Sequence, residues 1–121
     1  MTINIPGINA QSGLELCDGD LKIYLRSLHL YVSNVPSNME KIRTVSTETL
    51  HDYSIKVHGI KGMSEYIGAE ETRKAAKQLE EMAKAGDLTG VLAQNDAFVK
   101  QVENLTDNIR DWLKINDASG A

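Results

Sequence analysis

Val57-His58-Gly59-Ile60-Lys61-Gly62 sets the helical reading of this sequence. It lies within an apolar rhythm of Leu50, Tyr53, Val57, Ile60, Met63 or Ser64, and Ile67. Steps of three and four residues mark one buried face of an amphipathic helix. At about 100° per residue, His58 falls roughly 140° from the centre of that face, on a side shared with Ser54, Lys61, Gly62 and Glu65. The histidine therefore points outward, with a lysine one turn on. A glycine inside a helix costs about 1 kcal/mol against alanine, and this turn carries two of them, Gly59 and Gly62. A helix that accepts that cost beside an outward histidine implies close approach by something else.

Outward from this helix the periodicity stays helical. Gly68 is placed to end it as a left-handed cap, and Glu70 and Glu71 open the next helix where the dipole favours acids. That helix buries Ala75 or Ala76, Leu79, and Met82 or Ala83, and ends at Gly86 with Lys84 in its last turn. Asp87 caps a final helix with the stripe Leu88, Leu92, Asn95, Phe98 or Val99, Val102, Leu105, Ile109 and Trp112, roughly 40 Å long. Upstream, Ser12 caps a short helix running to about Cys17, broken by Asp18-Gly19. Asp20 then caps a longer helix with Leu21, Tyr24, Leu25, Leu28, Tyr31 and Val32 on one stripe. Asn34-Val35-Pro36 is expected to end that helix, because the residue before proline avoids the helical region. Ser37, with Glu40 three residues later, then opens a separate segment bearing Met39, Ile42 and Val45. Thr47 or Thr49 restarts the chain into the His58 helix.

These readings predict an all-α fold, an antiparallel up-and-down four-helix bundle with one or two short extra helices at the N-terminus. Residues 1–11 form an irregular lead-in, 12–116 the bundle and 117–121 a frayed tail. The 121-residue length suits one domain. The single cysteine, Cys17, excludes an internal disulfide and favours a reducing, cytoplasmic setting. A net charge of −4 with interspersed signs argues against nucleic acid as a partner, and no run of apolar residues is long enough to span a membrane.

The sequence lacks a phosphate-cradling glycine loop followed by Lys-Ser or Lys-Thr, and has no serine nucleophile elbow. His29 reads as a half-buried structural residue between Leu28 and Leu30. His51 and His58, seven residues apart, are spaced too widely to hold one zinc comfortably. Neither a metal nor a cofactor is expected. His58 differs from the other two in its neighbours. Free imidazole titrates at about 6.5, so a neutral, nucleophilic ring is abundant near neutral pH. Lys61 at i+3 brings an ammonium to neutralise an incoming phosphoryl group, and Gly62 at i+4 removes the side chain that would crowd it.

His58-Gly-Ile-Lys61-Gly62, followed by Ile67-Gly68-Ala69 and later Leu79-Glu80, resembles the histidine-containing phosphotransfer (HPt) domain of phosphorelays. The resemblance covers about residues 12 to 115, with an approach through Ile5-Pro6-Gly7-Ile8, Gly13-Leu14 and Asp18-Gly19-Asp20. Met63 departs from the small residue common after the Lys-Gly pair. The resemblance implies a phosphocarrier rather than an enzyme, with His58 as the acceptor through Nε2. It implies that Lys61 contacts the phosphoryl group, that Gly62 leaves room for the partner, and that Glu80 bonds the other ring nitrogen. The implied partners are receiver domains and a hybrid sensor histidine kinase, docking over Ser54, Ile55, Glu65 and Tyr66. The alternatives are a helical interaction or dimerisation module in which His58 is incidental, and a metal-binding bundle, which would need its histidines inside.

Overall fold

The computed structural model describes residues 3–116. Five helices follow one another: α1 (Ala10–Leu16), α2 (Leu21–Ile42), α3 (Leu50–Ile67), α4 (Glu70–Lys84) and α5 (Leu88–Asn116). The last four form an antiparallel up-and-down bundle in which α2 packs on α3, α3 on α4, α4 on α5 and α5 back on α2. The short α1 lies across α2 and α3. This is the all-α bundle with an extra N-terminal helix that the periodicity predicts. The expected fraying of 117–121 falls outside the described residues.

Several boundaries follow from local chemistry. Asp20 accepts from the Ile23 amide at 3.2 Å and Asp87 from the Gly90 amide at 2.9 Å, so both cap their helices as expected. Helix α1 starts earlier than predicted. Asn9, not Ser12, is its N-cap, and the Asn9 side chain accepts from the Ser12 amide. Thr49 precedes α3 without capping it through its side chain; its hydroxyl instead accepts from the Ser46 amide at 2.8 Å.

The larger correction concerns Pro36. Helix α2 does not stop before it but continues to Ile42, so Ser37 and Glu40 form no capping box. A proline inside a helix removes one N–H, which leaves the carbonyl four residues earlier, that of Val32, without its helical donor. Arg110 of α5 supplies a substitute, donating from its guanidinium to the Val32 oxygen at 3.3 Å. The Ser37 hydroxyl donates to the Asn34 carbonyl at 3.1 Å. Met39 and Ile42 then extend the buried stripe of Tyr24, Leu28, Tyr31 and Val35.

Along α5 the buried positions are Val91, Asn95, Phe98, Val99, Val102, Leu105, Thr106, Ile109, Trp112 and Leu113. Leu92, expected inside, is exposed, and Val91 takes its place. Counting back four and seven from Asn95 keeps Val91 and Leu88 on its face and turns Leu92 to the flank. Asn95 is a buried polar knot. Its Nδ2 donates to the Ile42 carbonyl at 2.7 Å, and its Oδ1 accepts from the Tyr53 hydroxyl at 2.7 Å. Three helices are tied through one side chain.

The α3–α4 turn is held from the N-terminal side. Gly68 adopts φ +82°, and a Cβ there would run into the Asn9 carbonyl. The Asn9 amide donates to Gly68 O at 2.9 Å, and the Tyr24 hydroxyl donates to Ile67 O at 2.8 Å. Gly13 of α1 is packed so closely on the Tyr24 ring and the Ile67 backbone that no larger side chain fits without movement. The two helices that meet at this turn are the ones that carry the site.

Candidate functional site

Helix α3 buries Leu50, Tyr53, Ser54, Val57, Ile60, Ser64 and Ile67, which turns His58 to solvent with its side chain 63% exposed. Antiparallel α4 lies alongside. Its apolar positions Ala76, Leu79 and Ala83 are small enough at both ends to bring Glu80 under the histidine. Glu80 is 5% exposed at its side chain, and a buried carboxylate needs partners to offset lost hydration. It has three. His58 Nδ1 lies 2.7 Å from Oε2, Lys61 Nζ lies 2.7 Å from Oε1, and Lys84 Nζ lies 3.1 Å from Oε2.

Burial pushes the Glu80 carboxyl upward, but hydrogen bonds from Lys61, Lys84 and His58 together outweigh it and hold the group at about 2. An ionised carboxylate only accepts hydrogen bonds, so the proton on the ring belongs on Nδ1. In the neutral imidazole this leaves the Nε2 lone pair pointing away from Glu80. The arrangement presents a fixed nucleophilic nitrogen to solvent beside two ammonium groups. One of these, Lys61, is partly covered; the other, Lys84, is 65% exposed at its side chain.

The structure thus brings His58, Lys61 and Glu80 together. Gly62 is one turn beyond His58 on the same helix, and a Cβ added there would meet open space. Gly59 sits on another side, where an added Cβ would approach the Asn38 amide of α2. Ile55, Glu65 and Tyr66 are exposed, Ile55 and Tyr66 as large apolar side chains at the surface. Ser54 is not part of that surface. It is buried, and its hydroxyl donates back to the His51 carbonyl at 2.6 Å. It stands only about 60° round the helix from Val57, so it belongs to the margin of the buried stripe. His29 is half-buried and His51 exposed. Among the described residues, no group of three His, Cys, Asp or Glu side chains is placed to hold a metal ion. Lys84 reads in the sequence only as a last-turn cation of its helix, not as a residue of the site. Its one signal is the i, i+4 spacing from Glu80, which any helix surface pair can show.

The family model of the Hpt domain matches residues 26–112, a span that contains His58, Lys61, Glu80 and Lys84. The chain belongs to the Hpt domain family. Histidine phosphotransfer as a carrier, not catalysis by an enzyme, is accordingly its general function, and receiver and histidine-kinase domains are its general class of partner. No curated protein and no solved structure matched the chain. The matched span of this Hpt domain begins within α2 and leaves out α1 and the segment that holds the α3–α4 turn. Among its described residues, no helix is long and apolar enough to cross a membrane.

Proposed function

We propose that this protein relays phosphate between aspartates of receiver domains, with His58 as the carrying residue. The single observation that supports this most is the contact between His58 Nδ1 and the buried Glu80 carboxylate, which leaves Nε2 as the free nucleophile. In the transfer step the Nε2 lone pair attacks phosphorus of an aspartyl phosphate. The P–O bond to the aspartate breaks, and its electron pair returns to that carboxylate. The phosphorylated ring keeps its Nδ1 proton and so carries positive charge, which Glu80 stabilises from 2.7 Å. The reverse sequence hands the group to a second receiver.

Lys61 contacts the phosphoryl oxygens, Gly62 leaves space for the donor, and Ile55, Glu65 and Tyr66 form the rim on which the receiver sits. A hybrid sensor kinase is the source of the phosphate in this reading, and the lone Cys17 agrees with a cytoplasmic setting. Incubation with a radiolabelled phosphorylated receiver tests it. Wild type is expected to gain acid-labile, alkali-stable label, and His58→Gln to gain none while folding as well as wild type. Equal labelling of the two proteins would remove His58 from the role, and no labelling of either would leave an interaction module.

A further inference from the structure

The turn between α3 and α4 is closed differently from two of its neighbours. In the α1–α2 and α4–α5 connections the backbone bonds stay local, and Asp20 and Asp87 cap the helices that follow. Ala69, which begins α4, has no side-chain oxygen to cap it and is fully buried. The last carbonyls of α3 are bonded from outside the hairpin. Ile67 O accepts from the Tyr24 hydroxyl at 2.8 Å, and Gly68 O accepts from the Asn9 amide at 2.9 Å. Gly13 brings α1 down onto both the Tyr24 ring and the Ile67 backbone. The lead-in is anchored in turn, with Ile5 in the core and the Pro6 carbonyl accepting from Asn108 of α5 at 3.4 Å. Asn9, Gly13 and Tyr24 all precede residue 26, where the family match begins.

We propose that the segment from Ile5 through α1, together with Tyr24, is a clasp that positions His58 against Glu80 by fixing where α4 stands along α3. The inference rests on His58 being the carrying residue. His58 and Glu80 lie on opposite arms of the hairpin and meet at 2.7 Å, a distance that tolerates little sliding of one arm on the other. With the clasp seated, the carboxylate faces Nδ1 and the ring proton stays there. Without it, the Ile67 and Gly68 carbonyls lose their donors, and the arms shift until those groups reach new partners or water. Misplacing a reacting group by about 1 Å can slow a reaction on the order of a hundredfold, so a fraction of that movement shows in the rate. Asn9, Gly13 and Tyr24 are thus positioning residues that act on His58 through the hairpin.

The alternative is a segment that adds stability and nothing else. Two readouts on the full chain separate them. One is the rate of charging by phosphoramidate, a donor that needs no protein docking. The other is the tautomer of the His58 ring, read from its imidazole nitrogen shifts at about pH 8, where the ring is neutral. Gly13→Val drives α1 off the Tyr24 ring and the Ile67 backbone, and is expected to slow charging about tenfold and lower the Nδ1–H share. Tyr24→Phe keeps the ring, removes one donor, and should slow charging about threefold with the same change of tautomer. It carries the test if Gly13→Val does not fold. Asn95→Ala breaks buried hydrogen bonds at the other end of α3 and controls for lost stability. Its charging should change less than about twofold, with the tautomer of wild type. Wild-type charging and tautomer in either folded clasp variant overturn the proposal. Equal slowing in Asn95→Ala also overturns it, by showing an effect of stability alone. Failure of wild type to charge on His58 overturns both this inference and the carrier reading beneath it.

Discussion

Glu80 and Asn95 are both buried polar side chains that face α3, and they are satisfied in opposite ways. Asn95 meets two neutral partners, the Tyr53 hydroxyl and the Ile42 carbonyl, and the whole cluster is closed to water. Burial pushes the Tyr53 hydroxyl up, so it stays a neutral donor. Glu80 is equally buried, but its partners His58 and Lys84 lie mostly in solvent. The first cluster spends its hydrogen bonds on joining three helices. The second uses a fixed anion to aim groups that remain free to react. The enclosed partners of Asn95 tie helices together, whereas the exposed partners of Glu80 are the groups that the proposed carrier role would use.

Breaking the closed cluster should have the largest effect on folding. Asn95→Ala leaves the Tyr53 hydroxyl and the Ile42 carbonyl without partners and should cost about 2–4 kcal/mol in urea denaturation. Phosphoryl acceptance by the folded fraction should change less than twofold. A loss below about 1 kcal/mol would erase the distinction drawn between the two clusters.

Breaking the open cluster should show in acid. The Glu80 carboxyl is held below its ordinary 4.5, at about 2, so its contribution to stability is full above pH 4.5 and drains as pH falls toward 2. Glu80→Gln removes that titration. The stability gap between wild type and variant should therefore shrink by about 1–2 kcal/mol across the window, read from chemical denaturation at several pH values. The variant should also accept phosphate more slowly, since an amide can bond either tautomer of the ring. Parallel acid profiles for the two proteins would show that Glu80 is not held as described.

The smallest change in stability is expected at Gly62. Gly62→Gln places a side chain in open space on a helix, so stability should rise by about 0.5 kcal/mol. Charging by phosphoramidate should continue while transfer from a receiver falls. If receiver transfer survives, Gly62 is not there to clear the approach.

The helices at the heart of the site were readable because their signals are local. Val57, Ile60 and Ile67 repeat at helical spacing, and Asp20, Gly68, Gly86 and Asp87 each end or begin an element by chemistry within one turn. The misreadings at Pro36 and Ser54 share a cause. Where α2 passes through Pro36, Arg110, 74 residues further on, gives the Val32 carbonyl a donor that no local rule supplies. Ser54 looked exposed because the width of the covered stripe is decided by how helices pack, not by α3 alone. His58, Lys61 and Gly62 sit on one helix and show as a pattern. Glu80 became visible only through family resemblance, since its meeting with His58 spans 22 residues and a turn. Lys84 stayed hidden because its spacing from Glu80 is that of countless exposed pairs.

The way the α3–α4 turn is held limits what insertions this chain can accept. His58 lies ten residues before Gly68 and Glu80 twelve after it, so their meeting depends on the number of residues in the hairpin. With Asn9, Gly13 and Tyr24 gripping the turn, an added or deleted residue cannot be absorbed as a bulge there and must pass into a helix. One residue rotates everything beyond it by about 100°, enough to carry Glu80 from beneath the histidine to another face of α4. Surface loops elsewhere can lengthen at little cost. Across this hairpin, residue count is part of the chemistry.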